Sequence, residues 1–360
     1  MTSYRAIYGE MTPNLSSTTL TVEATSTESK NFCVKSAENE KPQPETKLRE
    51  EWEGELFKTP IIWKNVISIA IFHIMSIYTL LTFPYLDCKR TILWGVFVGM
   101  MAGFGITGGV HRYWTHRSFK ANIPLRIILL ICFCTAGQNS VYNWVRDHRV
   151  HHKFSETDAD PHNSNRGFFF SHVGWLMTKK HPEVLRKGRQ IDMSDVLEDP
   201  VVQFGEKYFL LLKLIFAFLL PILVPVYFWN ETWYISSMSQ LFVRYVAGLN
   251  ITWSVNSAAH LWGSKPYDKS IAPVENMAVA YLAMGEGWHN YHHVFPWDYK
   301  AAELGNYSLN STTAIIDMFA KIGWAYDLKQ PSKDLIERVA LQRGDGSREH
   351  WAEVPEPKSE

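Results

Sequence analysis

Charge is scarce in this chain: 20% of its 360 residues are Asp, Glu, Lys or Arg, and the 36 basic and 36 acidic side chains cancel. With no surplus of either sign, nothing in the balance argues for a nucleic-acid or polyanionic partner. Cysteine is scarcer. Cys33, Cys88, Cys132 and Cys134 are too few and too irregular for a disulfide scaffold or a four-cysteine zinc site, and they read as packing thiols. The N-terminus lacks a basic start followed by an apolar core and a small-residue cleavage site, so no cleaved secretory signal is expected. What is abundant is apolar: 46% hydrophobic and 14% aromatic residues lean towards a membrane chain.

The apolar residues are not evenly spread. Residues 1–55 mix Thr, Ser, Glu, Lys, Asn and Pro, too little apolar surface to offset the entropy of ordering, and predict a disordered tail. Residues 331–360 are charged, end in PEPKSE and predict a solvated tail. Between them, residues 56–330 hold four runs near the roughly 20 residues a membrane helix needs. These are 61–83, 92–110, 208–229, and a weaker one from Trp233 towards Asn256. Pro221 and Pro225 would break a soluble helix, but in a bilayer span neighbouring helices compensate the freed backbone groups. Lys64, Lys213 and Arg244 interrupt three of the runs, which keeps open four buried helices of a large soluble protein. Residues 111–207 contain fourteen Lys and Arg, against Lys89 and Arg90 in the two short hairpin turns, so this stretch and both termini are expected in the cytosol. Two shorter stretches, 123–136 and 167–178, are expected to lie at the membrane interface.

Histidine carries the chemistry. At 14 in 360 residues, a chance His-x-x-His-His has an expected count of roughly 0.02, yet two occur. They are His148, His151 and His152 in HRVHH, and His289, His292 and His293 in HNYHH. On a helix, positions i, i+3 and i+4 share a face, so each triplet is expected to point at one locus. His111 and His116 in HRYWTH are five apart, about 140° round an α-helix, so a break or bend is expected between them. Asn256 and His260 in NSAAH add an amide and a ninth histidine. Nine neutral imidazoles exceed the needs of one tetrahedral ion, so two metal ions with four or five nitrogens each are implied. Imidazole suits Fe, Zn, Cu and Ni alike. For His73, His162, His172, His181 and His350, a plain hydrogen-bonded role is the expectation.

With HRYWTH, HRVHH, NSAAH and HNYHH in the runs DHRVHHKFSETDADPHNSNRGFFFSHVGWL and GEGWHNYHHVFPWDY, residues 55–330 resemble the membrane acyl-CoA desaturases, insect enzymes most closely. The resemblance implies an all-α integral membrane protein. Four transmembrane helices would form two hairpins, under a cytosolic helical cap holding a dimetal site in the endoplasmic reticulum membrane. It implies two Fe ions on His111, His116, His148, His151, His152, His260, His289, His292 and His293, with Asn256 reaching one through a water. It further implies removal of two hydrogens from a saturated fatty acyl-CoA using O2 and two electrons. The position would be Delta-9 or Delta-11, for membrane lipid or insect pheromone precursors. Neutral ligands leave the metal charge uncompensated, which favours an electron-rich oxidant, and a dry apolar surrounding would protect it.

The chain contains no His-Pro-Gly-Gly electron-carrier module, so electrons would come from a separate cytochrome b5 and its NADH-dependent reductase. The basic side chains Arg186, Lys187 and Arg189 suit an acidic carrier. The resemblance places the bend of the acyl tunnel at Gln138, Trp144, Thr252 and Trp253, and the CoA head group at Asn65, Asn139, Arg146, Asp147, Lys179 and Lys180. At Gly99 mammalian relatives carry a bulky aromatic near the tunnel's far end, so the tunnel here is expected to run deeper. GFGITG, 103–108, has the form of a dinucleotide loop, but it lies inside an apolar run with no strand before it, so no bound nucleotide is expected. Its spacings Gly99/Gly103 and Gly105/Gly109 suit close helix packing. A membrane fatty acyl hydroxylase and a non-redox zinc membrane receptor or hydrolase remain the alternatives.

Overall fold

The computed structural model describes residues 59–303 and 307–348. The expected N-terminal tail, Cys33 and His350 lie outside the described residues. The described part is almost wholly helical, with one two-stranded antiparallel pair, Lys120–Ala121 against Ala325–Tyr326.

Helix α1, Trp63–Thr82, and helix α2, Lys89–Thr115, are each long and apolar enough to cross a membrane. Helices α3, Ile123–Ala136, and α4, Val141–Phe154, follow with an 84° bend between them. The bend has local causes. Gly137 closes α3 in the left-handed conformation at φ 64°, and Ser140 starts α4 in an extended one. Helix α5, Phe209–Trp229, is the third apolar helix of spanning length. Its side chains turn outward, with Leu210 78% and Phe228 80% exposed, as a lipid-facing surface requires.

The fourth expected span is helical throughout as α6, residues 233–261, but it does not reach the apolarity of the other three. The reason is that its polar residues point inward. Gln240, Arg244, Ser257 and His260 are all buried against the protein. One side chain of α6 and one of α2 explain how α5 tolerates its prolines. Pro221 has no N–H for the Ala217 carbonyl four residues back, and Arg244 Nη2 donates to that carbonyl. Pro225 likewise cannot serve Pro221, and Trp94 Nε1 donates to the Pro221 carbonyl at 3.0 Å.

Helix α3 packs into the protein: Leu125, Leu129, Leu130, Cys132 and Phe133 are buried in the main core. The contact depends on glycine, because a Cβ at Gly105 of α2 would lie 2.1 Å from the Phe133 backbone nitrogen. The close-packing role expected of the glycine pairs therefore applies at Gly105 but not at Gly99, whose Cβ would meet nothing within 4 Å.

Residues 331–348 are also not a solvated tail. Lys333–Arg343 is a helix that buries Ile336 and Ala340 in a second cluster with Tyr267, Tyr291 and Phe295. The charged composition hid this, since two apolar positions four apart are enough to seat one helix face.

Candidate metal centre

All nine histidines expected as ligands come together, and they do so as two groups. His111, His116, His148, His152 and His292 form one, and His151, His260, His289 and His293 the other, with nitrogens in each group within 4.8 Å of one another. Each His-x-x-His-His triplet is therefore divided, where a shared locus was expected. The cause is helical geometry: i+4 lies about 40° to one side of position i and i+3 about 60° to the other. His148 and His152 stay together at 3.1 Å, while His151 faces the second group. His289 and His293 stay together at 3.2 Å, while His292 faces the first.

The five-residue spacing of His111 and His116 is met without a break. Residues Gly105–Thr115 wind as a π-helix, and the His116 N–H donates to the His111 carbonyl at 3.1 Å. An i→i+5 turn returns a side chain five residues on to nearly the same face, and the two imidazole rings lie 4.9 Å apart. The second triplet sits on a short helix, His289–Val294, held from behind by its own Asn and Tyr. Asn290 accepts from the Tyr267 and Asp268 amides and donates to the Asp268 and Pro273 carbonyls, while Tyr291 Oη donates to Asp298.

Three carboxylates that sequence reasoning missed hold the imidazoles from outside. Asp160 faces His151 Nδ1 at 2.9 Å, Glu156 faces His260 Nδ1 at 2.8 Å, and Glu286 faces His111 Nδ1 at 2.8 Å. Arg112, 1% exposed, donates from Nε and Nη2 to Glu286 and reaches the Tyr299 carbonyl, Thr313 and Asn310. Burial alone would raise the Asp160 carboxyl, but the His151 imidazole opposite, with His162, holds it below the usual carboxylate range. Burial raises Glu286 in the same way, and Arg112 and His111 outweigh it to hold that carboxyl low. The available signal was acidic residues beside each box: Glu156 and Asp160 follow HRVHH, and Glu286 precedes HNYHH by three. His162, expected to be unremarkable, packs 5.2 Å from the His151 ring and groups with Asp160.

This donor set fits metal ions. The carboxylates facing Nδ1 of His111 and His260 leave each Nε2 as a lone pair aimed at a further imidazole nitrogen, of His292 at 2.9 Å and of His289 at 3.0 Å. Nitrogens gathered in this way from several helices suit metal ions, which imidazoles bind at about 2.1 Å. Burial and the neighbouring imidazoles hold His289, His292 and His293 well below their ordinary pKa, which keeps them in the neutral, ligating form. Asp160→Asn, which keeps an acceptor but removes the charge, is expected to weaken metal retention by 10- to 100-fold, read as metal lost to a chelator over time. Unchanged retention would mean that Asp160 only packs.

A cavity of about 460 Å³ opens beside the centre, touching His111, His148 and His289 and lined otherwise mainly by apolar side chains. Gly99, Gln138, Trp144, Thr252 and Asn256 are all on its wall. Gln138 links two of the others, donating to Thr252 at 3.0 Å and accepting from Trp144 Nε1 at 3.1 Å. Trp253 is not on that wall. It is buried beside the His73 and His172 rings, because the residue after Thr252 turns about 100° away on the helix. Of the head-group candidates, Arg146 and Lys180 converge on Asp147, so that carboxylate already pairs with both cations. Lys179 and Lys180 line a small surface depression. Asn65 donates to the Leu176 carbonyl, and Asn139 accepts from the Ser140 amide.

The nine imidazoles thus lie beside a largely apolar cavity in a helical chain with three helices long and apolar enough to cross a membrane. Residues 90–316 match the model of the family described as fatty acid desaturase, and the chain belongs to that family, among the oxidoreductases. It is 57% identical over 298 residues to the acyl-CoA Delta-9 desaturase of Acheta domesticus, covering 82% of this chain and 83% of that one. It is 50% identical over 290 residues to the acyl-CoA Delta(11) desaturase of Spodoptera littoralis, covering 81% and 86%. To the stearoyl-CoA desaturase of Homo sapiens it is 50% identical over 296 residues, covering 82% of each.

Proposed function

We propose that this protein is an acyl-CoA desaturase that introduces a Delta-9 or Delta-11 double bond into a saturated acyl-CoA at two irons, with O2 and two electrons passed on by cytochrome b5. The observation that carries the reading is the continuity of the nine-imidazole centre with the apolar cavity. His111, His116, His148, His152 and His292 would hold one iron and His151, His260, His289 and His293 the other, with Asn256, on the wall of the same cavity, contributing through a water. The bound irons supply oxygen activation and the removal of two hydrogens.

The chain's own residues supply position and dryness. The hydrogen-bonded Gln138, Trp144 and Thr252 form a stiff section of wall against which one methylene pair is held. Apolar lining keeps water from the reacting carbons. Arg146, Lys179 and Lys180 offer cations to the CoA phosphates at the surface, with Asn65, Asn139 and Asp147 beside them. Helices α1, α2, α5 and α6 form two membrane hairpins in the endoplasmic reticulum, and the basic face carrying the histidines is cytosolic.

Gly99→Trp is expected to fill the open space beside that residue and shift the preferred substrate towards shorter chains, seen as a changed product profile when several chain lengths compete. An unchanged profile would contradict the tunnel assignment. The reading as a whole is tested with membranes containing the protein, acyl-CoA, NADH, cytochrome b5 and its reductase. Product should require NADH and O2, vanish on chelation and return with ferrous iron. Hydroxylated product would favour the hydroxylase, and turnover with zinc in the absence of NADH would favour a hydrolase.

A further inference from the structure

Helix α5 carries one charge in its 21 residues, Lys213, and the reaction as derived above does not use it. A cation on a membrane helix is unfavourable unless a partner holds it, so the partner points to its use. Lys213 is half-buried, and no carboxylate pairs with it among the described residues. Its Nζ donates instead to the Gln138 carbonyl at 3.1 Å.

That carbonyl belongs to the turn that carries the stiff section of the cavity wall. Gly137 ends α3 in the left-handed conformation and begins the 84° bend into α4, and the next residue is Gln138, the link between Trp144 and Thr252. Carbonyls at a helix C-terminus have no partner within the helix and carry partial negative charge, so a cation is favourable there. Two side chains from other helices meet that need. Tyr245 Oη of α6 donates to the Gly137 carbonyl at 3.1 Å, and Lys213 of α5 donates to the carbonyl after it. Packing fits the turn to the same two helices, since a Cβ at Gly137 would lie 2.8 Å from the Tyr245 ring and 3.1 Å from Ala217 Cβ.

Lys213 reaches Gln138 from the side away from the substrate. It lines a small hollow together with Gly137, Gln138 and Asn139, and of these four only Gln138 also lines the large cavity. The Gln138 main chain is thus held from α5, while its amide is held from α4 and α6.

We propose that Lys213 is a positioning residue that, through the Gln138 main chain, sets which carbon pair of the acyl chain is desaturated, a role that rests on the cavity being the acyl tunnel. Without the ammonium the Gln138 carbonyl loses its donor and the turn relaxes. The wall at Gln138, Trp144 and Thr252 then holds the chain in more than one register, and a slip of one methylene moves the double bond by one carbon.

The test uses the full-length protein in membranes with its electron donors and one saturated acyl-CoA, and reads the ratio of positional isomers among the unsaturated products by mass spectrometry. Lys213→Met and Lys213→Leu remove the cation and leave apolar side chains suited to a membrane helix, so either covers the other if one fails to accumulate. Lys213→Arg keeps the cation. The apolar variants are expected to raise the minor isomer about tenfold relative to the main one, the factor that corresponds to losing a hydrogen bond from a charged donor, and Lys213→Arg to stay near wild type. An isomer ratio unchanged in the apolar variants overturns the proposal whatever happens to total product, because lower yield at a fixed ratio is the mark of a merely structural lysine. A shift accompanied by loss of metal also overturns it, by placing the effect at the histidines. Gly99→Trp, run in parallel over several chain lengths, separates the two levels. If it shifts chain length while the Lys213 variants leave the isomer ratio alone, the role of the lysine fails by itself; if it too changes nothing, the acyl-tunnel reading fails.

Discussion

Alanine in place of His151 is expected to abolish unsaturated product while leaving the protein in the membrane. His151 belongs to the group of four nitrogens, and its Nδ1 is fixed by Asp160, which itself accepts from the Glu156 and His162 amides. Removing the imidazole leaves three nitrogens for that metal and a buried carboxylate without its main partner. Loss of a ligand should cost at least as much as loss of the group that orients it, for which 10- to 100-fold is typical. The measurement is product per unit of membrane protein together with metal content. Full activity in His151→Ala would remove this residue from the ligand set.

Arg112→Leu should have the largest effect on stability. The guanidinium is buried and its bonds tie α2 to Glu286, Tyr299, Asn310 and Thr313, which lie nearly two hundred residues away in sequence. Without it, Glu286 keeps its burial but loses the cation that holds its carboxyl low. Breaking a buried pair by removing one partner costs about 3–5 kcal/mol. Thermal unfolding in detergent micelles should therefore begin at clearly lower temperature, and His111 should lose the partner that sets its orientation. A melting curve that overlays wild type would show that the network is dispensable.

How much of this was legible in the sequence follows from the range over which each signal acts. Apolar runs and histidine spacing are local, and the three strongest membrane helices and all nine clustered histidines were readable from them. The division of each triplet into two and one was implicit in the helical period, since i+3 and i+4 diverge by about 100°, but a single shared locus was the simpler reading. The π-helix at Gly105–Thr115 was not readable, because its value lies in bringing His111 and His116 to one place, a tertiary requirement. The outer carboxylates Glu156, Asp160 and Glu286 sat in plain view beside the boxes, yet the chemistry seemed complete without them. Burial of the imidazoles supplies the missing reason: a buried Nδ1–H needs an acceptor. Trp253 shows the opposite error, where adjacency to Thr252 suggested a shared wall and the helix turned it elsewhere. The buried face of Lys333–Arg343 was hidden because a charged composition dominates when only two positions, Ile336 and Ala340, make the contact.

The most direct test of the account is to express the protein in yeast lacking its own desaturase, supply saturated fatty acids of several lengths, and locate double bonds in the products by mass spectrometry. Unsaturated products at one defined position, absent from the His151→Ala strain, are the expected result. Membranes that contain the protein and iron yet yield only saturated or hydroxylated chains would contradict it.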